Sequence, residues 1–118
     1  MPVTESVSVG KGTLDVLVLR ALSWGALHGF EIFAWIADQS GESLELDDSA
    51  IYHALYRMEA RGLVEARWGV TENGRRARYY EATASGKTHL RAETKKWLRY
   101  SRVVTGLLTT SVAGRGSR

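Results

Sequence analysis

With 118 residues, 44% of them hydrophobic, the chain is long enough for one domain with a modest core and too short for two ordinary ones. It has no cysteine, which excludes disulfides, thiolate metal sites and thiol catalysis, and with no membrane-length apolar run and no signal-peptide pattern it is expected to be cytoplasmic. The net charge of +3 is segregated: residues 1–56 hold two basic side chains against eight acidic, residues 57–118 fourteen against five, so the second half is suited to an anionic partner, nucleic acid ahead of a membrane surface.

Residues 1–11 carry no pattern and are expected to form a flexible arm. A helix is predicted from Thr13, where Leu14, Leu17, Val18, Ala21 and Leu22 make one apolar stripe. Val16 and Leu19 fall off that stripe, a surplus of apolar surface that suggests a second subunit. Trp24-Gly25 closes the helix. A second helical segment spans residues 30–37, with Phe33, Ile36 and Ala37 inward, and residues 40–43 end it in a turn. Leu44-Glu-Leu46 alternates as a very short strand would.

The next stretch reads as one helix with two jobs. Ile51, Leu55 and Met58 share a buried face, while Ser49, Tyr52, His53, Tyr56 and Arg57 are left outward. Those hydroxyl, imidazole and guanidinium groups are the kinds that reach base edges and phosphates. Asp47-Asp48 supplies an N-cap and Gly62 a C-terminal stop. Two helices, a turn and a third helix with polar residues outward is the layout of a helix-turn-helix.

After Gly62 the period changes from helical to two. Residues 63–70 and 75–83 are strand-like and flank Thr71-Glu-Asn-Gly74, where Asn73-Gly74 signals a type I′ hairpin with positive φ at both central residues. Arg75 and Arg76 stand beside its tip, where a wing meets phosphates or the minor groove; Arg78 and Tyr80 are read as holding the wing to the body. From Ala84 a long helix is predicted to about residue 108. Leu90, Trp97 and Val104 repeat at seven residues, with Tyr100, Val103, Leu107 and Leu108 extending the stripe, so a dimer interface built on Leu90, Trp97, Val104 and Leu108 is expected. The fold class is therefore α+β, mainly α: a winged helix-turn-helix over residues 12–83 with an added C-terminal dimerisation helix over residues 84–108. Residues 109–118 read as a disordered tail.

These blocks together resemble the PadR family of bacterial transcriptional regulators, in particular its short-tailed subgroup with a single C-terminal helix. The resemblance is carried by residues 12–19, by Leu27-His-Gly-Phe-Glu-Ile32, by Ile51-Tyr-His-Ala-Leu-Tyr-Arg-Met-Glu-Ala-Arg-Gly-Leu63, and by Trp68-Gly69, Gly74-Arg-Arg-Ala-Arg-Tyr-Tyr80, Thr83 and Gly86. Phe30 stands where the family usually has Tyr, His53 where proline is common, and Ser49-Ala50 where Gly-Ser or Gly-Thr is common. The resemblance implies a homodimeric repressor released by a small-molecule or stress signal; dimer symmetry predicts an inverted-repeat DNA operator, and the outward helix face with the basic hairpin tip gives the expected contacts Ser49, Tyr52, His53, Tyr56, Arg57, Arg75 and Arg76. At Trp97 it implies either a packing anchor between crossing helices, the ordinary role of such a tryptophan, or a platform for a flat aromatic effector.

Other readings fare worse. His89 and Glu93, at i and i+4, lack an evident third metal ligand. Ser49, His53 and Asp48 lie within two turns of one exposed helix with no oxyanion donors, so no enzymatic activity, metal or cofactor is expected. An interaction module that binds a protein through the winged helix is the alternative function. Trp24, Trp35 and Trp68 are assigned to the core or to structure.

Overall fold

The computed structural model describes residues 6–111. Its elements run β1 (Val7–Ser8), α1 (Lys11–Ala21), a 3₁₀ turn (Leu22–Trp24), β2 (Leu27–His28), α2 (Gly29–Gln39), β3 (Leu44–Glu45), α3 (Asp48–Ala60), β4 (Val64–Val70), β5 (Arg76–Ala82) and α4 (Ala84–Thr109). Helices α1, α2 and α3 pack around one core, and β2, β5 and β4 form an antiparallel sheet in that order beside it. The predicted fold class is the one found.

Several local expectations are corrected. The arm is tied down at Val7–Ser8, which pairs in parallel with Leu44–Glu45. In α1 the buried residues are Leu14, Asp15, Val18, Leu19 and Ala21; Leu19 is fully enclosed, whereas Leu17 and Val16 are only half-buried and turn toward α4. The reason is that α1 touches α2, α3 and α4 at once, so no single stripe describes it. In α2 the buried pair is Ile32 and Ile36, one turn apart, with Phe33 and Ala37 at the flank. An unforeseen capping box starts that helix: His28 Nδ1 accepts from the Glu31 amide, and the Glu31 carboxylate accepts from the His28 amide at 3.0 Å.

Helix α3 is capped as its sequence demands. Asp47 accepts from the Ala50 amide at 2.9 Å, and Gly62, at φ 74°, ends the helix while its amide and that of Leu63 return to the carbonyls of Glu59 and Met58. Ile51, Ala54, Leu55 and Met58 are buried. The C-terminus of α3 is then joined to the start of α4 by Thr83. Its hydroxyl donates to the Gly62 carbonyl at 2.7 Å and accepts from the Gly86 amide at 3.0 Å, and its own amide donates to the Leu63 carbonyl. Gly86 is required there, because a Cβ would collide with the Leu63 carbonyl oxygen.

The hairpin pairs Val64 with Ala82 through Val70 with Arg76. Its tip is not the predicted type I′ turn: the Gly74 amide bonds the Thr71 carbonyl, Gly74 alone has positive φ, and Thr71 also bonds Arg75. That is a β-turn across Glu72 and Asn73 followed by a left-handed glycine, the usual three-residue hairpin alternative. Helix α4 is 26 residues long, and toward its end its apolar side chains are largely uncovered: Leu107 and Leu108 are 72% and 79% exposed. The tail at residues 112–118 and the first five residues of the arm lie outside the described residues.

Candidate nucleic-acid interface

The surface of α3 opposite its buried face carries Ser49, Tyr52, His53 and Tyr56, all exposed. Tyr52 lies against Gly29, the first residue of α2, so closely that a Cβ there would overlap its ring. Tyr56 continues the same edge toward the wing. Ser49 is partly committed, since its hydroxyl donates to Asp47 at 2.7 Å; that bond, with the Ala50 amide second, holds the Asp47 carboxyl below the usual carboxylate range.

Arg57 departs from the outward set. Its guanidinium donates to Asp15 of α1 at 2.6 Å, and the Asp15 side chain is only 9% exposed. The charge of Arg57 is thus taken up between α3 and α1. A partner 42 residues away in sequence gives no local signal.

The wing completes the surface. A cleft of about 280 Å³ separates α3 from the hairpin, lined by Gly29, Tyr52, Tyr56, Trp68, Arg76 and Arg78 among others. Of four wing arginines, Arg67 pairs with Glu81 at 3.1 Å and Arg78 with Glu59 at 3.0 Å. The latter pair, with the enclosed Tyr80, holds the wing to α3 as expected; burial pushes the Tyr80 hydroxyl pKa up. Arg75 at the tip and Arg76 beside it face no carboxylate among the described residues. Instead Arg76 lies over the Trp68 ring, 4.5 Å from its centroid.

Trp68, assigned to the core or to structure, is not in the core: it is 59% exposed and stands in the cleft. Its register could have revealed this, since Trp68 lies diagonally across the hairpin from Arg76 on the same face. Trp24, likewise assigned to the core or to structure, is 65% exposed; it forms a tilted pair with Trp35 at 5.5 Å and carries Arg20 over its ring.

Of the residues expected at a dimer interface, Leu90 is half-buried against the core of its own chain. Trp97 is half exposed and, with Val16, Leu17, Arg20, Leu90 and Leu98, lines an apolar groove of about 280 Å³ between α1 and α4. Val104 is half-buried and Leu108 exposed farther along the helix. Glu93, offered with His89 as a metal pair, bonds Lys96 at 3.0 Å, which lowers its carboxyl pKa. No helix among the described residues is long and apolar enough to cross a membrane.

Known proteins share this architecture. A PadR family transcription regulator from Clostridium difficile is 27% identical, covering 80% of this chain and 97% of that one, with a TM-score of 0.71. A PadR-like transcriptional regulator from Bacillus cereus is 25% identical over 86% of this chain and 96% of its own, with a TM-score of 0.74. Bacillus subtilis PadR, solved in complex with operator DNA, is 25% identical over 75% of this chain and 48% of its own, with a TM-score of 0.62. Residues 18–92, more than half of the sequence, match the transcriptional regulator PadR-like family. With its helix-turn-helix, its arginine-bearing wing and its single long terminal helix, the chain belongs to that family.

Proposed function

We propose that this protein is a homodimeric, sequence-specific DNA-binding repressor in the cytoplasm that recognises an inverted-repeat operator. The observation that carries the reading is the continuous surface made by Ser49, Tyr52, His53 and Tyr56 of α3 with the carboxylate-free Arg75 and Arg76 of the wing. In this reading α3 enters a major groove, and the wing tip holds the flanking backbone. Dimerisation is supported by the uncovered apolar side of α4, and two-fold symmetry then sets half-sites about one helical turn apart, roughly 10 base pairs or a multiple. A flat aromatic effector between α1 and α4 at Trp97 would release the operator only by binding one dimer shape better than the other.

Selection of sites from random duplex DNA at two salt concentrations tests the proposal. An enriched inverted repeat, bound less tightly as salt rises because phosphate contacts release counterions, is the expected result. A reporter carrying that repeat near its promoter distinguishes repression from activation. The second reading, a protein-binding module, is favoured by the exposed Trp24 beside Trp35. It expects no DNA retention and no effect of replacing Arg75 and Arg76 by alanine.

A further inference from the structure

The wing arginines are not equivalent, and the difference has a cause. Arg67 and Arg78 are paired with the carboxylates of Glu81 and Glu59, and Arg75 stands exposed at the tip. Arg76 is laid on the exposed ring of Trp68, 4.5 Å from its centroid, with no carboxylate partner among the described residues, whereas Arg78, 5.6 Å from the Tyr80 ring, is also tied to Glu59. A guanidinium stacked by its face keeps its N–H edge free in the plane, which is the geometry for two parallel bonds to a phosphate. The stack lies in the cleft whose other wall is Tyr52 and Tyr56 of α3. A DNA strand passing from the groove read by α3 to the groove flanking the wing must cross that cleft, and what a strand presents there is its backbone.

The geometry points to Trp68 as a positioning residue that turns Arg76 from a mobile charge into a fixed ligand for one operator phosphate at the junction of α3 and the wing. The inference rests on the DNA-binding reading above. Trp68 itself carries no charge and reads no base; its contribution is to hold the Arg76 fork in place. The contact is therefore independent of sequence and separate from whatever Arg75 does at the tip.

The test uses the full chain, with affinity measured across a series of salt concentrations on a selected duplex and on a scrambled one. Each phosphate contact contributes about 0.9 to the slope of log K against log salt. Arg76→Ala is expected to lower that slope by about one contact. Trp68→Ala, although it changes no charge, is expected to lower it by nearly as much on both duplexes, leaving the preference for the selected site intact. Trp68→Phe, which keeps an aromatic platform, is expected to retain the slope, and Trp68→Ala with Arg76→Ala together to lose no more than Arg76→Ala alone. A Trp68→Ala protein that binds more weakly at an unchanged slope, or a double variant whose slope losses add, overturns the inference while leaving DNA binding standing. A wild-type chain with no salt-dependent DNA binding removes both together.

Discussion

Replacing Arg57 by methionine separates two views of that residue, as a DNA reader and as a tie between helices. The substitution keeps an unbranched apolar stem and removes the guanidinium that donates to Asp15 at 2.6 Å. The Asp15 carboxylate, 9% exposed, is then left without its partner where little water reaches it. Breaking a fully buried pair from one side costs about 3–5 kcal/mol. Arg57 is itself one-third exposed, so water can enter part of the vacated space, and the expected loss is about 2–3 kcal/mol. For a domain of this size that lowers Tm by roughly 10 °C. Asp15→Ala strands the more exposed partner, which can turn to solvent, and should cost less, about 1 kcal/mol. The double variant should regain most of the difference. Thermal unfolding followed by circular dichroism at one fixed protein concentration measures all three, since dimerisation would make Tm concentration-dependent. An Arg57→Met protein that melts within about 2 °C of the wild type yet loses DNA affinity would refute the assignment and return Arg57 to the reading face.

Three further outcomes are expected. Gly86→Ala should lower stability by roughly 2 kcal/mol or more, because its methyl meets the Leu63 carbonyl and backbone must shift; denaturant unfolding checks this, and a silent substitution would mean that the junction yields easily. Changing Leu107 and Leu108 together to glutamate should leave the fold intact, since both are exposed in one chain, while converting the proposed dimer to monomer in sedimentation; a wild-type dimer whose mass the change leaves unaltered would move the interface elsewhere. Asp47→Ala should lower Tm at neutral pH by removing the α3 cap. Because the folded carboxyl titrates below its ordinary value, the wild-type advantage is present above the usual carboxylate range and fades as pH falls through the lowered pKa, so the two melting curves should converge in acid.

Much of this architecture was legible because it is locally encoded. Asp47 marks where α3 starts, Gly62 and the switch to period two after it mark where α3 ends and the wing begins, and the seven-residue repeat of Leu90, Trp97 and Val104 marks the long terminal helix. What escaped was set by neighbours distant in sequence. Leu19 falls off the stripe of α1, yet it is enclosed because three other helices surround that element. Arg57 looks outward on a wheel, and only the fold brings Asp15 to it. Trp68 and Trp24 are assigned to the core or to structure from the sequence, and neither is in the core. Each instead lies at the surface with an arginine across its ring, a way of accommodating a large apolar side chain that composition does not reveal. At the hairpin tip the Asn-Gly pair was correctly read as a turn, but Thr71 and Gly74 decide its type.

The junction at Thr83 couples two lengths. Because Thr83 clasps the Gly62 carbonyl while capping α4, and Gly86 sits directly against Leu63, the end of α3 has little freedom to turn without α4. Helix α4 is 26 residues long, about 39 Å at the usual helical rise. It acts as a long arm fixed to a short one: a swing of about 10° would carry its far end through roughly 7 Å over that span. Read in reverse, in the proposed dimer the crossing of two such arms would be a caliper for the separation of the two α3 helices. Substitutions near Leu107, far from any base, would then change which half-site spacing is preferred before they change which bases are read.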